Sequence, residues 1–170
     1  TETVGAMIPH FEGRIIGEDG EILPTGTPGE YCSRGPGVML GYWNQPDATG
    51  ASIRDGWMHS GDLATMDDVG RIRIVGRIKD MIIRGGENIY PAEVEAFLAT
   101  HPNVAEVAVF GIPDSLYGES VCAWIRPRDA MASATILEWC KGKIAHHKIL
   151  TRIRLVESFP MTVTGKVQKF

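Results

Sequence analysis

Three short stretches carry residue types that could do chemistry. Thr162-Val163-Thr164-Gly165-Lys166-Val167 places one ammonium group among small residues near the carboxyl end. It is not a phosphate-binding P-loop. That motif needs GxxxxGK followed by Ser or Thr, whereas Val167 follows Lys166 and Pro160 stands where the first glycine belongs. Taken alone, Lys166 reads as a solvated lysine near a terminus. Trp57-Met58-His59-Ser60-Gly61-Asp62 sets an aspartate after a Ser-Gly turn, at a loop. A carboxylate has two acceptor oxygens, which suits the vicinal 2′ and 3′ hydroxyls of a ribose; a plain turn residue is the simpler reading of Asp62 by itself. Arg84-Gly85-Gly86-Glu87 pairs two glycines, which permit backbone geometry or a close ligand approach that a Cβ would block. The simpler reading there is a charged linker followed by a hairpin turn. Neither this pair nor Gly35-Pro36-Gly37 through Gly41 lies in a strand–GxGxxG–helix unit, so neither is a dinucleotide fingerprint.

The elements that must position these groups change character along the chain. Up to about residue 75 the sequence is glycine-rich with short β-like runs. Arg14–Ile16, Glu30–Ser33 and Arg71–Val75 are strand candidates, separated by turn signals at 18–20, 27–29, 54–56 and 67–70. This predicts a small antiparallel sheet or barrel, with no long helical period before residue 90. Further on, Pro91 followed by Ala-Glu-Val-Glu-Ala-Phe-Leu predicts a helix with proline in its first turn and acidic residues at its positive end. Val94, Phe97 and Leu98 form its apolar stripe, and His101-Pro102 ends it. Val104–Phe110 and Val121–Ile125 predict strands. Thr135-Ile136-Leu137-Glu138 reads as a capping box opening a second helix with Leu137, Cys140 and Ile144 as its apolar face. Ile153–Val156 predicts a last strand. The expected class is α+β: a barrel-like β subdomain over residues 1–76, then a compact mixed domain over 77–170, roughly β-α-β-β-α-β.

Composition bounds the function. The chain has 170 residues, 44% hydrophobic and 22% charged, as in ordinary globular proteins. A net charge of −4 with no basic stripe argues against a nucleic-acid partner. No apolar run approaches the roughly 18 residues of a transmembrane helix. Cys32, Cys122 and Cys140 lie far apart with no CxxC pair, which points away from a disulfide frame or zinc site and toward a reducing compartment; a cytoplasmic location is expected. The five histidines show no ligand spacing, and no metal-binding residue is assigned. The chain opens at Thr1 without an initiator methionine and reads as a piece of a longer protein.

In order, the chain also contains GEYCSRGPGVMLGYWNQPDAT (29–49), DGWMHSGDLA (55–64), GRIKDMIIRGGENIYPAEVE (76–95) and TGKVQK (164–169). Together these resemble the acyl-CoA synthetases of the adenylate-forming superfamily, which includes luciferases and peptide-synthetase adenylation domains. The resemblance covers nearly all of the chain, and its second block is most similar to the medium-chain fatty-acyl and aryl-CoA ligase branches. It implies that residues 1–76 are the β-rich end of a large N-terminal domain that lies mostly upstream, and that 77–170 are the mobile C-terminal domain. The implied substrates are a carboxylic acid, ATP with Mg2+, and coenzyme A. The phosphate loop, the acyl pocket and most magnesium ligands would lie upstream of Thr1.

The same resemblance implies roles. Asp62 would accept hydrogen bonds from the ATP ribose, and Arg77 would contact the ribose or phosphates. Lys79 would be the hinge. Gly85 and Gly86 would line the pantetheine path of coenzyme A, and Lys166 would be the adenylation lysine. Leu150 stands where the family usually has proline, and His147 where an aromatic residue is common, both near the expected adenosine-phosphate end of coenzyme A. Two rival readings share these motifs: a peptide-synthetase adenylation domain, and a non-catalytic truncated paralogue kept as a binding module.

Overall fold

A computed structural model describes residues 3–163 and 167. The chain divides into two units, 1–79 and 80–170, three residues beyond the break expected at Gly76. Among the described residues, no helix is long and apolar enough to cross a membrane.

The first unit is an antiparallel sheet of six strands: β1 (Gly5–Ala6), β2 (Glu12–Ile16), β3 (Gly29–Arg34), β4 (Ile53–Arg54), β5 (Trp57–Met66) and β6 (Arg71–Arg77). The path runs β1-β6-β5-β3-β2, with β4 on β5. Inward residues of alternate parity form the core: Ile15, Ala64 and Ile72 pack with Met7, Leu23, Tyr31 and Met66, and Ile16, Cys32 and Trp57 form a second cluster. The Arg14 and Arg34 guanidinium groups lie over the Trp57 ring, 3.9 and 4.6 Å from its centroid. The three expected strands are present. A short helix, α1 (Pro46–Ser52), starts with proline and buries no residue. Thr49 holds it locally: its Oγ1 donates to the Gln45 carbonyl and accepts the Tyr42 N–H.

The second unit runs β7 (Ile82–Arg84), β8 (Glu87–Ile89), α2 (Pro91–Leu98), β9 (Val104–Asp114), β10 (Gly118–Pro127), α3 (Ser133–Cys140) and β11 (Arg152–Leu155). The order is therefore ββαββαβ, one strand more than expected. β9 and β10 form a long antiparallel pair, β11 joins β10 in parallel, and β7 meets β10 at Arg84↔Gly118. Val94 and Leu98 of α2 and Ile136 and Cys140 of α3 bury themselves against Val109, Val121, Ala123 and Ile125 of the sheet. Glu95 also ties α2 to the sheet, since its Oε1 accepts the Val109 N–H at 2.8 Å.

Helix α3 differs from the one expected. The helix begins at Ser133, two residues before the expected cap, and no side chain caps it. Thr135 already lies within the first turn and donates its N–H to the Ala132 carbonyl. One residue is about 100° of helix, so the buried face is Ile136 and Cys140, while Leu137 points outward and the helix stops before Ile144.

Candidate functional site

Asp62 lies within strand β5 rather than in a loop. On β3, Glu30 pairs with Leu63 and Cys32 with His59, so Ser60, Gly61 and Asp62 together face Tyr31 alone. The strand absorbs the surplus residues as a bulge, a device that re-aims a side chain out of the regular ladder. Gly61 takes φ +71°, in the left-handed region. Side chains fasten the bulge. Ser60 Oγ donates to the Tyr31 carbonyl at 2.7 Å and accepts the Asp62 N–H at 3.0 Å. The Gly61 N–H donates to Glu30 Oε1 at 3.1 Å.

On its other side Asp62 pairs directly with Arg77 of β6, and Arg77 Nε lies 3.3 Å from Asp62 Oδ1. The structure thus brings together the two residues assigned to the nucleotide. Both are substantially exposed, so the pair adds at most about 1 kcal/mol of stability. What it contributes is orientation: an acceptor and a cationic fork side by side, both reachable from solvent.

Behind the bulge is a cluster with little signal in the sequence spacing. His59 Nδ1 lies 2.8 Å from Glu30 Oε2 and 3.4 Å from Cys32 Sγ, and Arg54 Nη2 lies 3.0 Å from the same nitrogen. The ligand atoms of Glu30, Cys32 and His59 fall within 4.8 Å of one another. Their chemistry does not suit magnesium, which prefers oxygen donors. Burial, reinforced by the nearby Glu30 charge, pushes the Cys32 thiol up to about 11, so it stays protonated. The Arg54 guanidinium already supplies the positive charge beside Glu30. The cluster is an ion-paired brace. Its one sequence trace is the i, i+2 spacing of Glu30 and Cys32 on a strand.

In the second unit Gly85 and Gly86 are the two-residue turn of the β7–β8 hairpin, with φ of +60° and +85°. A two-residue loop with both φ positive is the turn whose twist matches a hairpin, so the backbone alone accounts for both glycines. The Gly85 N–H donates to the Tyr117 carbonyl at 2.9 Å, and Arg84 Nη1 donates to the His147 carbonyl at 2.8 Å. A Cβ on Gly86 would meet open space, so Gly86→Ala is expected to lower stability by strain alone, about 1–2 kcal/mol. Gly76→Ala, equally open but without a positive φ, should change it by about 0.5 kcal/mol or less. Denaturant melts of the two variants check this. Leu150 is buried in the core of the unit, so its departure from the family pattern is a packing choice. Lys79 is the exposed middle residue of a 3₁₀ turn, Ile78–Asp80, and closes the first unit. Lys166 lies outside the described residues.

Comparison with known proteins gives consistent matches. A family profile described as the AMP-binding enzyme C-terminal domain matches residues 93–166, and one described as AMP-binding enzyme matches residues 1–43. The chain is 51% identical over 173 residues to the mitochondrial medium-chain acyl-CoA ligase ACSF2 of Homo sapiens, covering 99% of this chain and 28% of that protein. Among solved structures, ATP-bound MatB from Rhodopseudomonas palustris superposes with a TM-score of 0.93 at 35% identity, over 99% of this chain and 34% of that one. The o-succinylbenzoate CoA synthetase MenE of Bacillus subtilis, solved with its acyl-adenylate OSB-AMP, gives 0.90 at 34% identity, over 98% of this chain and 34% of its own; its complex with ATP and magnesium gives 0.88. The chain spans about a third or less of the length of these relatives. With both family profiles met in order and the fold shared throughout, the chain belongs to the AMP-binding, adenylate-forming enzymes and carries their C-terminal domain.

Proposed function

We propose that the protein carrying this chain is an AMP-forming acyl-CoA synthetase acting on a fatty or aryl carboxylic acid. The observation that carries the reading is the Asp62–Arg77 pair, set on neighbouring strands at a braced bulge and reachable from solvent. In the first half-reaction a carboxylate oxygen attacks the α-phosphorus of ATP, and pyrophosphate leaves with the electrons of the broken P–O bond. In the second the sulfur of coenzyme A attacks the acyl carbon, and AMP leaves. Asp62 accepts from the ribose hydroxyls and Arg77 holds the ribose or phosphates. Lys166 offsets charge at the α-phosphate, Lys79 is the hinge, and Gly85 and Gly86 border the pantetheine path. Magnesium would arrive with ATP. The acyl pocket and phosphate loop belong to the upstream N-terminal domain, this chain's partner in the reaction. The proposed setting is a reducing compartment such as the cytoplasm, supported by three free, buried cysteines. The human relative is named as mitochondrial.

The test is carboxylate-dependent ATP–pyrophosphate exchange together with coenzyme A-dependent release of AMP. The enzyme that joins this chain to its upstream part should show both with fatty or aryl acids. The 170 residues alone should show no exchange, since Asp62 and Arg77 are only part of a nucleotide shell. Exchange by those residues alone, or no AMP release from the joined enzyme with any such acid, would sink the reading.

A further inference from the structure

We propose that Glu30 is a positioning residue for nucleotide recognition: its carboxylate holds the Ser60–Gly61–Asp62 bulge in the shape that turns Asp62 toward the ribose. The inference rests on the proposed role of Asp62 and goes beyond it, because Glu30 holds Gly61 and His59 rather than binding in place of Asp62.

The geometry gives Glu30 two hands on the bulge. Oε1 accepts the Gly61 N–H in its middle, and Oε2 reaches the His59 ring where the regular ladder resumes. Its side chain is only 16% exposed, on β3, beside the pair Cys32↔His59. A carboxylate so placed needs compensation, and Gly61, His59 and Arg54 supply it. An apolar strand residue there would leave the Gly61 N–H without its acceptor and the bulge free to choose another path. Ser60 is the complementary clip, from the Tyr31 carbonyl to the Asp62 N–H. The Asp62 carboxylate is thus held from behind by Glu30 and from the side by Arg77, so its direction is set before any ligand arrives. Preorganisation of this kind lowers the cost of ordering a contact on binding.

The chemical signature is hydroxyl recognition. The measured quantity is the ratio of kcat/KM for ATP to that for 2′-deoxy-ATP and for 3′-deoxy-ATP, in adenylation by the joined enzyme. Asp62→Asn sets the scale and should pull the ratios toward one by roughly tenfold, about 1.4 kcal/mol. Glu30→Ala should raise the KM for ATP and collapse the same ratios, and the double variant should collapse them no further. Glu30→Gln should restore them, since its amide oxygen can accept from Gly61 while its NH2 donates to the His59 ring. If Glu30→Ala does not fold, Glu30→Asp serves: the charge stays beside Arg54 but falls short of Gly61, and the ratios should again collapse. Unchanged ratios in the Glu30 variants, with Asp62→Asn collapsing them, overturn the positioning role alone. Unchanged ratios in Asp62→Asn overturn the ribose reading and this inference with it.

Discussion

Replacing Lys166 by alanine is expected to slow acyl-adenylate formation roughly 10²–10³-fold, the scale of losing one preorganised electrostatic group. Conversion of preformed acyl-adenylate to thioester should stay close to normal. The asymmetry follows from charge. The attacking carboxylate and the triphosphate are both anionic, and attack on the α-phosphorus gathers negative charge at one point. A flexible ammonium is a compact point charge suited to offset it. Thioester formation starts from an acyl-adenylate whose pyrophosphate has already gone, so the same cation has little left to neutralise. On the proposed reading, a movable domain would withdraw the cation once its step is done. Separate assays of the two half-reactions decide the matter. Equal losses in both would show that Lys166 holds structure instead.

Lys79→Pro is expected to slow thioester formation at least about tenfold, about 1.4 kcal/mol on the barrier, while sparing adenylation. Lys79→Ala should leave both half-reactions close to wild type. Lys79 sits exposed in the middle of the 3₁₀ turn Ile78–Asp80, at the junction of the two units. A rotation between domains must be absorbed by large torsion changes at one or two such residues. Proline fixes φ at about −65°, inside the range of about −50 to −70° of a 3₁₀ turn, so it holds position 79 at that torsion and blocks departures from it. Single-turnover measurements of each step resolve the two variants. Alanine as damaging as proline would mean that the side chain is what matters, and the hinge assignment would fail.

How much of this was legible in the sequence varies by element. Strands with alternating β-branched residues between turn signals, such as β2 and β6, could be read directly. β5 could not, because Ser60-Gly61-Asp62 are turn-type residues; only the partner strand shows that a bulge absorbs them. α1 has no apolar stripe to detect and is held by Thr49 and its neighbours. At α3 a capping-box pattern overlapped a helix that had already begun, and that offset exchanged Leu137 for Ile136 on the buried face. The site divides the same way. Asp62, Arg77 and Lys79 follow from motif positions, but the Glu30 brace depends on strand pairing across 31 positions of sequence, which no local pattern encodes.

The three thiols give the chain an internal clock for its own fluctuations. Cys32 lies in the first unit and Cys122 and Cys140 in the second, all free and all buried. A thiol-specific reagent can reach each one only when its surroundings open. Burial raises all three thiols above their ordinary value, so the closed state offers little reactive thiolate as well as no access. Labelling rates followed residue by residue, without any introduced cysteine, therefore report the opening free energy of each unit separately. Among them, Cys32 touches the ring of His59, so its protection times how long the wall behind the Asp62 bulge stays shut.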